Sequence, residues 1–267
     1  MRSIVLHIHD DDCFEARFQA ALDLSKAFGS HIDCVQPIPI DVSVDIYGMG
    51  GAEMAPILRD NADIFQQRVE ARLASEAAIW TWTQEFDSSD HMLVAHSALA
   101  DLVVLGTSDP MVGSAVSSIA GQVAIHAQTP VLAVPGAVRS FDVSAPAVVA
   151  WNGSVQSSHA LRAAVPLLRR AASVQIVAVE ENRATRAYEL SATAGAEFLS
   201  RHGVDCEIVA IPNRSRPSDA LRQAAEMRRA GHIVMGAYGH TRLRETVFGG
   251  VTRELLAHSS VPLFLCH

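Results

Sequence analysis

The feature that most constrains the fold is an internal repeat, since the two parts of the chain carry the same elements in the same order. The segment ADLVVLGTSD, which ends at Asp109, resembles AGHIVMGAYG, which ends at Gly239. Each has a helix tail, an apolar run and a glycine, and a second apolar run that opens at Pro130 or Pro262 follows. The runs SIVLHI (3–8) and AVVAWN (147–152) match as well. A repeat of this length indicates two copies of one architectural unit.

Within each copy, short apolar runs alternate with segments of helical periodicity. In the second copy, for example, a strand at Val148–Trp151 precedes a helix at Ser157–Ala172 and a strand at Val174–Val179. Continuous apolar strands separated by helices are typical of a parallel sheet that is covered on both faces. We therefore predict an α/β protein with two tandem doubly wound parallel-sheet domains, residues 1–138 and 145–267. The segment Gly136–Pro146 is predicted to link them.

Composition excludes several classes of function. The formal net charge is −8 and the arginines are scattered, which disfavours a nucleic-acid partner. No apolar run is long enough to span a bilayer, and the acidic N-terminal segment lacks the plan of a signal peptide. The four cysteines are far apart and form no CxxC pair. We expect a cytoplasmic protein without a membrane partner.

One glycine-rich segment combines the features of a phosphate-binding loop. It runs from Gly236 to Thr252, between a predicted strand and a predicted helix, where open α/β sheets bind their ligands. Glycines let backbone N–H groups approach a phosphate closely, and a helix N-terminus favours an anion. The candidate phosphate contacts are Gly236, Gly239, His240, Arg242, Gly249, Gly250, Val251 and Thr252. The alternative is a glycine-rich turn that serves only packing or dimer contacts.

The spacing of Gly236, Gly239 and Gly249 resembles the G-x2-G-x9-G-[S/T] motif of the universal stress protein family. The resemblance extends over both copies and is sharpest in the second. It implies a Rossmann-like fold of the adenine nucleotide alpha hydrolase type, in which the loop wraps the phosphates of ATP. By position it also implies that Asn152 contacts the base or ribose and that Val179 frames the adenine.

Two positions depart from the family pattern. Gly250 stands where the motif has Ser or Thr, and Asn152 stands where the first strand usually ends in Asp. One neutral hydrogen bond contributes about 0.5–1.5 kcal/mol, so neither change should abolish binding. In the first copy, Asp109 replaces the second glycine, and a carboxylate about 4 Å from a phosphate costs about 4 kcal/mol. We therefore expect the first copy to have lost the site.

These observations predict a universal stress protein that binds ATP, or ADP or AMP, in its second domain, with Mg as an optional companion. The two domains are expected to pair as an intramolecular pseudo-dimer, with a homodimer as a further option. No general base or metal carboxylate is evident beside the loop, so any ATP hydrolysis should be slow. Two alternatives stay open: a dimeric scaffold without a nucleotide, and a metal-dependent enzyme that uses His7, His9 and Asp10.

Overall fold

A computed structural model describes residues 1–38, 51–107, 119–179, 189–212, 216–238 and 250–267. In the first half, the elements are β1 (Ser3–His7), α1 (Phe14–Phe28), β2 (His31–Pro37), α2 (Gly51–Ser75), β3 (Ile79–Glu85), α3 (Ser89–Ser97), β4 (Leu102–Gly106), α4 (Ile119–His126) and β5 (Val131–Val134). In the second half, they are β6 (Ala147–Trp151), α5 (Val155–Leu168), β7 (Val174–Val179), α6 (Ala192–Arg201), β8 (Cys206–Ile211), α7 (Pro217–Arg228), β9 (His232–Gly236), α8 (Gly250–His258) and β10 (Leu263–Cys266).

Within these ranges, ten strands form one sheet in the order β3-β2-β1-β4-β5-β10-β9-β6-β7-β8. The order of the second half mirrors that of the first, so the molecule has an approximate internal two-fold arrangement. Strand pairs inside each half are parallel, whereas β5 and β10 pair antiparallel, with Phe264 opposite Leu132. The predicted fold class is confirmed, and the two halves meet through their last strands.

The central strands are apolar along their whole length because helices cover both faces of the sheet. Helices α1, α2, α5 and α6 pack on one face, where Phe18, Leu73, Leu161 and Leu199 are buried. Helices α3, α4, α7 and α8 pack on the other, where Leu93, Val123, Leu221 and Leu255 are buried. No helix in the described part of the chain is both long enough and apolar enough to cross a membrane.

Local signals explain several element boundaries. Ser154 and Ser191 are the N-caps of α5 and α6, and their side chains accept the backbone N–H groups of Ser157 and Ala194. Gly29 ends α1 at φ 63°, a left-handed conformation that glycine adopts without strain. Neither β3 nor β8 has a fully buried position, because these are the two edge strands of the sheet.

Candidate functional site

The second half presents a crevice where the carboxyl ends of β6 and β9 meet. After β6 the chain crosses to β7 through α5 on one face of the sheet, and it reaches β9 through α7 on the other face. Such a reversal separates the loops that follow two neighbouring strands, which creates the usual ligand site of doubly wound sheets. Asn152 follows β6 directly and Gly236 ends β9, so the fold brings these two predicted site residues to one crevice.

Asn152 organises the start of α5. Its side-chain oxygen accepts hydrogen bonds from the hydroxyl of Ser154, at 2.7 Å, and from the backbone N–H of Ser154, at 3.2 Å. Ser154 in turn caps the helix by accepting the N–H of Ser157 at 3.2 Å. The Asn152 side chain is exposed, so its amide group stands at the surface of the crevice while its oxygen fixes the helix N-terminus.

Gly236 is placed by packing. A Cβ on this residue would lie 2.6 Å from backbone atoms of both Gln156 and Ser157, in the first turn of α5. Side chains do not approach backbone so closely, and β9 can therefore lie against α5 only with glycine at this position. The sequence assigned Gly236 to close approach of a phosphate, whereas the structure shows a close approach of helix backbone.

Two residues after Gly236, the backbone turns sharply at Tyr238, which has φ 52°. The Tyr238 N–H lies 3.5 Å from the hydroxyl of Thr252, which is 3% exposed. Burial raises the pKa of the Tyr238 phenol to about 12. Thr252, predicted as a phosphate contact, is thus enclosed and faces the polypeptide chain at the base of the loop.

The N-terminus of α8 lies at the same edge of the sheet. Gly250 is exposed, with no atom of the described residues within 4 Å of the position that a Cβ would take, and Val251 is half-buried beside it. The free N–H groups of a first helical turn and the helix dipole make this a favourable place for an anion. Val179 ends β7, the strand next to β6. Gly239, His240, Arg242 and Gly249 lie outside the described residues.

Sequence reasoning missed a clamp over the β6–α5 corner. The Leu190 N–H donates to the Gly153 carbonyl at 3.0 Å, and the Trp151 indole N–H donates to the Leu190 carbonyl at 3.1 Å. Gly153 has φ 73°, and a Cβ there would lie 2.4 Å from the Leu190 oxygen. The side chain of Leu190 remains 53% exposed beside this corner. A glycine immediately after a predicted strand-end residue was the available signal.

The alternative metal site in the first half is not formed. The described residues contain no group of three or more His, Cys, Asp or Glu side chains that could hold a metal ion. His7 and His9 stack with their ring centroids 5.9 Å apart, while Asp10 is exposed and lies 3.2 Å from Arg68. Burial, with the positive charge of Arg17 nearby, holds the pKa of His7 well below its usual value.

A polar groove of about 380 Å³ separates α7 from α8. Its arginines are matched by acids: Arg222 pairs with Asp219 at 2.9 Å, and Arg216 pairs with Asp219 at 3.1 Å and with Glu254 at 3.5 Å. Because these cations are already neutralised by carboxylates on the groove walls, the groove offers little net attraction for an anion.

Comparison with known proteins agrees with this architecture. The sequence profile of the universal stress protein family matches residues 146–267. A universal stress protein from Archaeoglobus fulgidus has a similar structure, with a TM-score of 0.78 at 16% identity, over 99% of this chain and 95% of that one. A functionally unknown protein from Pseudomonas aeruginosa PAO1 gives a TM-score of 0.61 at 16% identity, over 99% and 92% of the two chains. No curated protein matches the sequence significantly.

Single-domain proteins match one half of the chain. A universal stress protein solved in complex with cAMP covers 47% of this chain and 99% of its own, at 20% identity and a TM-score of 0.37. The fold defines a doubly wound α/β protein whose second half reverses its strand order between β6 and β9. More particularly, residues 146–267 match the profile of the universal stress protein family, the family that the glycine-rich motif of the second half resembles.

Proposed function

We propose that the second half binds ATP, or the related nucleotides ADP or AMP, at the crevice between β6 and β9. The observation that carries the proposal is the N-terminus of α8 at this crevice, where no residue in the described ranges lies within 4 Å of a Cβ built on Gly250. Phosphate groups would lie against the N–H groups of Gly250 and Val251, with Gly239, His240, Arg242 and Gly249 as further expected contacts from the sequence motif.

The remaining contacts follow from the positions of the strand ends. Asn152 would bind the ribose or base through its exposed amide, and Val179 would frame the adenine from the end of the neighbouring strand. Gly236 and Thr252 would support the loop from below, since both are engaged with the polypeptide chain. Mg could accompany the phosphates, and in this proposal the nucleotide is held as a signal with at most slow hydrolysis.

The proposed biological setting is a cytoplasmic stress response with one nucleotide site per chain. The proposed domains are residues 1–138 and 145–267, with the first as the structural partner of the second in an intramolecular pseudo-dimer. The antiparallel pairing of β5 with β10 supports this arrangement. Further assembly into a homodimer is a separate proposal.

A second candidate is a scaffold that keeps the fold without a nucleotide. The observation in its favour is that Gly236 and Thr252, two residues of the glycine-rich segment, have sufficient structural reasons for their identity. This candidate predicts that purified protein carries no nucleotide and that changes at Gly250 leave its properties unaltered.

Isothermal titration calorimetry with ATP separates the two candidates. The test variant is Gly250→Asp, because the added side chain meets no neighbour among the described residues and an acid at a helix N-terminus does not harm folding. Two unit charges 4 Å apart repel by about 4 kcal/mol at an effective dielectric constant of 20, so we expect affinity to fall by at least about 100-fold. The matched control is Gly250→Asn, which has the same shape without the charge and should retain binding within about tenfold. An absence of ATP binding by the wild-type protein would defeat the proposal, as would equal affinity in Gly250→Asp.

A further inference from the structure

A buried arginine fills the part of the first half that corresponds to the candidate site. Arg17 is fully enclosed, and its Nε donates to the His7 carbonyl at 2.7 Å. Its Nη1 donates to the Asp11 carboxylate at 2.6 Å, and its Nη2 donates to the His9 carbonyl. Nη1 also lies 3.2 Å from the position that a Cβ on Gly106 would take. The guanidinium therefore occupies the corner between the ends of β1 and β4.

The corner between β1 and β4 is the repeat counterpart of the crevice between β6 and β9. In the sheet order, β1 and β4 are neighbours in the first half just as β6 and β9 are in the second. Gly106 ends β4 and packs against Cys13 at the start of α1, as Gly236 ends β9 and packs against Gln156 at the start of α5. The two glycines thus perform the same task in the two halves.

At the helix position of Arg17, the second half has alanine. Arg17 precedes His31, the first residue of β2, by the same number of residues as Ala160 precedes Val174, the first residue of β7. By the same count, Asp11 corresponds to Ser154. The large ion pair of the first half is therefore replaced in the second half by a methyl group and a hydroxyl.

We propose that the residue at this helix position decides which half of the tandem admits the phosphate ligand. Arg17 closes the first half, because its guanidinium already donates to three acceptors beneath the β1–α1 loop, whereas the buried Ala160 contributes only a methyl group at the matching position of the second half. The consequence is one ligand per chain. This inference rests on the proposed function for its ligand, and it names a selectivity residue that the glycine-rich motif does not contain.

The Arg17 side chain should stay in this corner, because breaking its buried ion pair with Asp11 costs free energy. The side chains of Arg17 and Asp11 are 1% and 4% exposed, so moving the arginine aside would leave a buried carboxylate without its partner. Asp11 also accepts the Cys13 N–H at 2.7 Å, which ties the ion pair to the start of α1. A phosphate anion would have to displace this whole arrangement.

The test transplants the arginine into the full-length protein as Ala160→Arg and titrates it with ATP. We expect wild type to bind one ATP per chain and Ala160→Arg to lose affinity by at least about 100-fold. The direction of the change in ATP affinity separates the two outcomes, because an added cation that left the crevice open would strengthen the binding of an anion. The control is Ala163→Arg, which adds the same charge to a half-buried position further along α5 and should retain wild-type affinity.

A second measurement covers the case in which the buried arginine alone destabilises the fold. Ser154→Asp supplies the counterpart of Asp11, so Ala160→Arg with Ser154→Asp should melt at least several degrees above Ala160→Arg alone. Two ATP per wild-type chain, undiminished affinity in a folded Ala160→Arg protein, or no rescue by Ser154→Asp would each overturn the inference. If wild type binds ATP and Ala160→Arg binds it equally well, only the inference fails. If wild type binds none, the proposed function itself fails.

Discussion

His232 illustrates how a single residue can link stability to pH in this molecule. It is the first residue of β9 and has no exposed surface, and within the described part of the chain neither ring nitrogen has a hydrogen-bond partner. Its ring centroid lies 5.6 Å from that of Phe141 in an apolar environment. Because burial disfavours the charged form, the pKa of His232 is lowered from 6.5 to about 4.

Stability should therefore decrease as the pH falls from about 6.5 towards 4. In this range the unfolded chain binds a proton at His232 that the folded chain refuses, so protonation favours unfolding. The contribution is on the order of 3 kcal/mol across the whole window, and it is fully present above pH 6.5. In His232→Leu, which removes the titrating group, we expect chemical denaturation to show a shallower loss of stability between pH 7 and pH 5.

The control for His232→Leu is the same substitution at the exposed His126. His7 is also buried, with its pKa lowered, and it should leave part of the acid sensitivity in place when His232 is replaced. An identical pH dependence in His232→Leu and wild type would show that the buried histidine does not contribute to acid unfolding.

At the scale of elements, the repeat and the apolar periodicity predicted most of the strands and helices correctly, because both signals are local. Asn152, Val179 and Gly236, which the family resemblance and its motif assigned to one site, lie at the carboxyl ends of β6, β7 and β9. The periodicity placed one helix at Ser157–Ala172, whereas α5 spans Val155–Leu168 behind its N-cap Ser154. Helical periodicity alone did not reveal that boundary.

The role of Gly236 shows what the sequence could not supply. A glycine in a phosphate-loop motif and a glycine under a helix look the same in one sequence, and only the distance to α5 separates them. Likewise, the Thr252 hydroxyl faces the Tyr238 N–H, and the Arg17 side chain donates to the His7 carbonyl at the end of β1. Neither contact can be read from the local sequence pattern. Such contacts depend on the packing of helices on the sheet, which periodicity does not specify.

Gly236→Ala tests the packing of β9 against α5. The new methyl group would lie 2.6 Å from helix backbone, so either the strand or the helix must shift, and overpacking of this kind costs about 1–3 kcal/mol. We expect Gly236→Ala to lower the free energy of unfolding by about 2 kcal/mol without nucleotide. Gly250→Ala is the matched control and should change it by less than about 1 kcal/mol, because a Cβ on Gly250 meets no atom of the part of the chain that the structure describes. Equal stability of the two variants would contradict the packing role.

At the scale of the whole molecule, the halves are joined by more than the chain that connects them. The pairing of β5 with β10 makes one continuous sheet, and the connecting segment is fixed to both halves. The Phe141 N–H donates to the Asp23 carboxylate of α1 at 2.7 Å, while the buried Phe141 ring packs on His232 of β9. Arg170, just after α5, also stacks over the Phe28 ring at the end of α1. These contacts predict that the halves unfold together.

The tryptophans allow this cooperativity to be measured, because Trp80 and Trp82 belong to β3 in the first half and Trp151 belongs to β6 in the second. In Trp151→Phe, fluorescence reports only the first half, and in Trp80→Phe with Trp82→Phe it reports only the second. Each reporter should give the same denaturation midpoint as circular dichroism recorded on the same protein.

Adding Phe141→Ala should lower the stability that both reporters measure by about 3–5 kcal/mol, since removing a buried phenylalanine leaves a cavity between the connecting segment and β9. Asp23→Ala, which removes only the acceptor in the first half, should also lower both readings, by a smaller amount. Two results would show that the halves are independent folding units, which the continuous sheet does not couple. One is a shift of the Trp151 signal alone in Phe141→Ala. The other is a fluorescence midpoint that differs, for each reporter, from the circular dichroism midpoint of the same protein.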